Sequence, residues 1–138
     1  MQATNLKTNH LSAPLGMDAG TLFLSWQCAG GVRQTAYEIE VTTGAGTLWT
    51  SGKVLGSGMH TEMPAAVPPK TQGQWRIRLW DENDQPGAWS EAEFETGLAQ
   101  SDWQGVWVCP ETKEPDIDCT DAINAFAKPN WEQKQAAL

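Results

Sequence analysis

At 138 residues the chain has room for one domain and some extra length. Its net charge of −8 and the absence of a basic stripe argue against a nucleic-acid role, and no apolar run is long enough to span a membrane. Three cysteines, an odd number, argue against a disulfide scaffold, while eight tryptophans against one tyrosine suit a sandwich core or a binding face.

In chain order, Met1–Gly20 reads as mostly extended, with a short edge strand near Asn5–Leu11 and a regular pattern broken by Pro14 and Gly16. Its first eighteen residues carry no apolar signal-peptide core, so a cytoplasmic location is expected unless the sequence is a cut-down piece. Leu22, Leu24 and Trp26 alternate with Phe23 and Ser25, the period of a strand with one apolar face. Cys28–Gly31 reads as a turn. Tyr37, Ile39 and Val41 alternate with Glu38 and Glu40 in a second half-buried strand, and Thr43–Gly46 is a glycine turn. Leu48–Val54 reads as a short strand, Gly56–Gly58 breaks it, and Met59–Met63 reads as one more.

The most ordered pattern is Pro68–Glu91. Trp75, Ile77 and Leu79 alternate with Arg76, Arg78 and Trp80; DENDQPG then supplies turn chemistry, and Ala88–Thr96 returns as the second arm of a hairpin. Turn signals every ~8–12 residues are those of an all-β sandwich. The expected core is Leu22, Leu24, Trp26, Tyr37, Ile39, Val41, Trp75, Ile77 and Leu79. Period two then sends Glu38, Glu40, Arg76 and Arg78 to one outer face, acids opposite arginines on neighbouring strands. Trp89 follows on a third strand, where an indole can cover a guanidinium. This predicts a stabilising structural ladder rather than a ligand site.

After Gly97 the character changes. Ser101–Val108 holds Trp103 and Trp107 around a glycine, and Cys109–Thr120 reads as an acidic loop. Asp121–Ala127 reads as a helical turn and Asn130–Leu138 as a final helix. Residues 101–138 are expected to be a linker and C-terminal extension towards a further domain, behind a sandwich over residues 1–100.

Several clusters invite chemistry. Asp81, Glu82, Asn83 and Asp84 supply oxygens for a hard cation, but the spacing matches no calcium loop, and a solvated hairpin turn is the better reading. Cys109 and Cys119 with Asp116 and Asp118 lack the nearby histidine or third cysteine of a zinc site. His10 and His60 have no nucleophile motif beside them. No metal, cofactor or catalytic residue is expected. Trp26 and Trp75 belong to the core; Trp49, Trp103 and Trp107 are candidates for an interdomain or sugar contact.

The proline-led bend, the aromatic-Arg-Ile-Arg strand, the polar turn and the Trp-Ser strand resemble the last two strands of a fibronectin type III domain. More narrowly, NHLSAPLGMD (Asn9–Asp18), LSW (Leu24–Trp26), GVRQTAYEIEV (Gly31–Val41), LWTSGKV (Leu48–Val54), QWRIRLWDENDQPGAWSE (Gln74–Glu91), FETGL (Phe94–Leu98) and SDWQGVWV (Ser101–Val108) resemble, in order and spacing, the N-terminal fibronectin-type domain of bacterial α-L-rhamnosidases of glycoside hydrolase family 78. The tail after Val108 lacks the aromatic-Arg-Lys segment of that family. The resemblance implies an accessory domain whose parent hydrolyses terminal α-L-rhamnose with inversion, through paired carboxylates in a distant barrel. It also implies the parent's other domains as partners, and rhamnose-containing glycans as the ligands of the alternative, a carbohydrate-binding module.

Overall fold

The computed structural model describes residues 1–106 and 108. Eight strands follow one another: β1 Gln2–Thr8, β2 Phe23–Ala29, β3 Ala36–Thr43, β4 Gly46–Thr50, β5 Val54–Leu55, β6 His60–Glu62, β7 Gln72–Trp80 and β8 Ser90–Glu95. They form two antiparallel sheets, one in the order β1-β2-β6 and one in the order β4-β3-β7-β8, with β5 also paired to β3. This is the strand order of a fibronectin type III or immunoglobulin-like sandwich, and it occupies the unit Met1–Gln104.

The inner faces close on one apolar core. Leu22, Leu24, Trp26, Ile39, Val41, Trp75, Ile77 and Leu79 are buried, joined by Ala3, Met63, Val67 and Phe94. Tyr37 departs from the expectation: it is only half-buried, its ring 4.9 Å from that of Trp26. Its neighbour on one side, Val54, lies in a strand of two residues, too short to cover the phenol. Trp75 donates its indole N–H to Thr8 Oγ1 at 2.9 Å, a buried bond between the sheets. Among the described residues no buried side-chain nitrogen or oxygen lacks a partner, as a low-dielectric interior requires.

Three boundaries differ from the sequence reading. The first strand begins earlier, at Gln2, and ends at Thr8, where Asn9 and His10 take φ of 49° and 67° and turn the chain. The second runs on through Cys28 and Ala29, because these pair with Ala3 and Gln2; the turn falls on Gly30 and Gly31, with φ of 72° and 74°. Leu48–Val54 is split into β4 and β5. Ser51 Oγ accepts the Ile39 N–H at 2.9 Å, so a side chain takes a ladder position, and Gly52 follows at φ 59°. The sandwich of about seven strands expected from the turn spacing therefore has eight.

The exposed edge of β8 is partly covered. Glu95 N–H donates to Pro14 O, Met17 N–H to Glu95 O and Gly97 N–H to Met17 O, at 2.9, 3.0 and 2.8 Å. The covering segment protects an edge that would otherwise template pairing with another chain. Trp107, the Cys109/Cys119/Asp116/Asp118 group and the two C-terminal helical segments lie outside the described residues.

Candidate functional site

The outer face of the larger sheet carries the most organised polar group among the described residues. The β3–β7 register sets Glu38 opposite Arg78 and Glu40 opposite Arg76. Arg76 donates from Nε and Nη2 to Glu40 Oε2 at 2.8 and 2.5 Å. Arg78 makes the same contact with Glu38 Oε2, Nε at 2.7 Å and Nη2 at 2.6 Å. Trp89 sits just before β8, in no strand, and its ring centroid is 4.5 Å from Arg76 Cζ and 4.8 Å from Arg78 Cζ. The five residues singled out from the sequence are thus brought together.

The group is longer than period two suggested. Trp80, at the end of β7, lies 4.9 Å from Arg78 Cζ and 4.8 Å from Lys53 Nζ. Lys53 in turn reaches Asp84 Oδ1 at 2.6 Å. Cations and indoles therefore alternate, Lys53, Trp80, Arg78, Trp89, Arg76, with carboxylates along one flank. Guanidinium groups are attracted to indole faces and weakly hydrated, so they tolerate such half-burial. Trp80 was recognisable as an outward position; Lys53 had no signal, because it sits in the irregular link between β4 and β5. Each guanidinium is held through Nε and Nη2 on one carboxylate oxygen of its partner acid, the arrangement of a structural ion-pair ladder.

The acidic β7–β8 turn serves the backbone. Asp81 Oδ1 accepts the N–H groups of Asn83 and Gln85 at 2.9 and 3.0 Å, and Glu82 Oε2 accepts those of Val32 and Arg33 at 3.0 and 3.4 Å. The Gln85 N–H, then that of Asn83, holds the Asp81 carboxyl below its ordinary range. Glu82 is lowered by its own backbone N–H and by those of Val32 and Arg33. Among the described residues no group of three or more His, Cys, Asp or Glu is placed to hold a metal ion.

His10 and His60 both lie beside Phe23, with ring centroids 4.8 and 5.5 Å away. Cys28 is half-buried and its thiol is pushed up by burial; it donates to Gln34 Oε1 at 3.1 Å. Gln34, which the sequence did not mark, is a buried hub. Its Oε1 also accepts the Trp26 indole N–H at 3.1 Å, and its Nε2 donates to Gly56 O and Gly58 O at 3.1 and 2.8 Å.

The three tryptophans considered for contacts divide. Trp49 is half-buried and packs against the core, opposite Val41. Trp103 is 68% exposed, and Trp107 is outside the described residues. Trp103 follows a short 3-10 turn, Gln100–Asp102, whose Asp102 meets Lys70 Nζ at 2.7 Å and accepts the Ala99 N–H at 2.9 Å. The Lys70 hydrogen bond, then that of Ala99, lowers the Asp102 carboxyl.

Residues 3–100 match the family described as the Rha78A-like, N-terminal immunoglobulin domain. An α-L-rhamnosidase of Streptomyces avermitilis is 34% identical over 134 residues, covering 86% of this chain and 13% of that protein. Among solved structures, an α-L-rhamnosidase from Dictyoglumus thermophilum aligns with TM-score 0.69 and 29% identity, over 75% of this chain and 13% of the other. That of the Streptomyces avermitilis α-L-rhamnosidase complexed with L-rhamnose aligns with TM-score 0.65 and 30% identity, over 75% and 11%. The chain thus spans about an eighth of the length of the proteins it matches.

Proposed function

The chain belongs to the family of Rha78A-like N-terminal immunoglobulin domains, and from that premise we propose that it is a non-catalytic accessory module of an α-L-rhamnosidase, packed against the rest of its parent. The observation that carries this reading is the alignment itself: 86% of the chain corresponds to 13% of a rhamnosidase. In this reading residues 1–100 are the module and 101–138 lead towards the next domain. The parent would hydrolyse terminal α-L-rhamnose by inversion, with an acid and a base flanking a water in another domain.

The alternative is a carbohydrate-binding module. It needs solvent-facing aromatic rings spaced for sugars, and of the candidates Trp49 is turned to the core while Trp103 alone is exposed among the described residues. Titration of the chain with L-rhamnose and rhamnosides, followed by tryptophan fluorescence, separates the two. The accessory reading predicts no saturable change; saturable quenching supports the binding module instead.

A further inference from the structure

The end of the sandwich from which the chain leaves carries a hollow of about 710 Å³, between the β3–β4 turn and the segments Pro68–Gln72 and Glu95–Leu98. Its walls include Ala45, Leu48, Pro68 and Leu98, and Lys70 stands at its margin. Leu98 is 53% exposed, although it is a large apolar residue. A neighbouring groove shares Thr43, Gln72 and Glu95 with the hollow and adds Leu15, which is 83% exposed. Exposed large apolar side chains rimmed by polar residues are a feature of contact faces.

The exit of the chain is tied to the same place. Lys70 N–H donates to Gly97 O at 2.9 Å while its ammonium holds Asp102, and Lys70 itself takes φ 56°, a strained value for a side-chain-bearing residue. Residues Glu95–Leu98 thus form part of the wall of the hollow, and the Gln100–Asp102 turn that follows is fastened beside it through Lys70.

We propose that this hollow, with the Lys70–Asp102 clasp beside it, is the docking surface for the domain that follows in the parent chain; the proposal rests on the accessory-module reading. Two observations select that occupant. The relatives continue far beyond the aligned region, which is 13% of their length, so most of the parent is joined to the sandwich covalently and is presented at high effective concentration. The lining contains no aromatic side chain on which a sugar could stack. A second copy is disfavoured by a net charge of −8 on each chain.

The test uses the full-length parent. Cysteine is introduced at the hollow by Ala45→Cys and Leu98→Cys, and on the β2–β3 loop by Val32→Cys as the control. Maleimide labelling of each peptide is followed by mass spectrometry. Docking predicts labelling at positions 45 and 98 roughly tenfold or more slower than at position 32. Ala45 lies in an exposed turn, so its variant carries the test even where Leu98→Cys disturbs folding. Equal rates at 32 and 45 overturn the proposal, as does protection that appears only at high protein concentration, which indicates a second copy. Release of rhamnose by the same wild-type parent is measured separately. An active parent with rapid labelling rejects the docking surface alone, whereas a parent with no such activity rejects the accessory-module reading.

Discussion

The guanidinium carbon of Arg78 stands 4.8 Å from the ring centroid of Trp89, a residue that belongs to no strand. The contact joins the irregular start of the last hairpin arm to the C-terminal part of β7. It predicts a measurable coupling. In a double-mutant cycle with Arg78→Ala and Trp89→Ala, read by urea melts, the interaction term should be about 0.5–1 kcal/mol. Because the Glu38 pair is itself half-exposed, Glu38→Gln alone should cost only ~0–1 kcal/mol. A cycle that closes to zero would mean that Trp89 merely lies over the arginine.

The core makes a larger demand. Trp26→Ala and Trp75→Ala should each cost ~3–5 kcal/mol, since both rings are buried between the sheets. A loss below ~1 kcal/mol in denaturant melts would sink the assignment of either residue to the core.

Gln34 supplies a polar counterpart. Replacing it by Leu strands the Trp26 indole N–H and the carbonyls of Gly56 and Gly58. The expected loss is about 1–3 kcal/mol, chiefly from the Trp26 indole N–H left unpaired in a buried site, since the two glycine carbonyls are only part-buried. Gln34→Glu keeps an acceptor but loses the donor and places a desolvated charge against two carbonyl oxygens, so at neutral pH it should cost at least as much as Gln34→Leu. Thermal or chemical melts of the two variants, ranked against Gln34→Leu, check this.

The exit clasp has a pH signature. The Asp102 carboxyl is lowered in the folded state, first by the Lys70 hydrogen bond. A group with a depressed folded pKa contributes stability that is present above its unfolded value and lost as pH falls through the folded one. Hydrogen exchange of the Ala99 and Asp102 amides should therefore be flat from neutrality down to about pH 4 after correction for intrinsic rates, and should rise below it. Asp102→Asn should show the raised exchange at neutral pH. Exchange that is unchanged by the substitution would show that the 3-10 turn holds without the clasp.

The sequence was most informative where period two and burial agree. In β3 and β7 the alternation of Ile39, Val41, Trp75, Ile77 and Leu79 with charged neighbours sets both faces, and the pairing of Glu38 with Arg78 and Glu40 with Arg76 agrees with it. It was least informative where a side chain replaces a backbone partner. Ser51 interrupts a strand that its neighbours would continue, and no local pattern announces that its hydroxyl will meet the Ile39 N–H. Lys53 and Gln34 were hidden for a related reason: each acts from a loop, where neither period applies, on groups distant in sequence. Tyr37 has the period of a core position; its half-exposure goes with the shortness of β5, a property of the neighbour rather than of its own strand.

The accessory-module reading is tested most directly by assaying hydrolysis of an aryl α-L-rhamnoside by the 138-residue chain and by its full-length parent, side by side. The parent should release L-rhamnose with inversion, and the 138-residue chain should release none. Turnover by the 138-residue chain that co-purifies with it and vanishes on a single carboxylate substitution would contradict that reading.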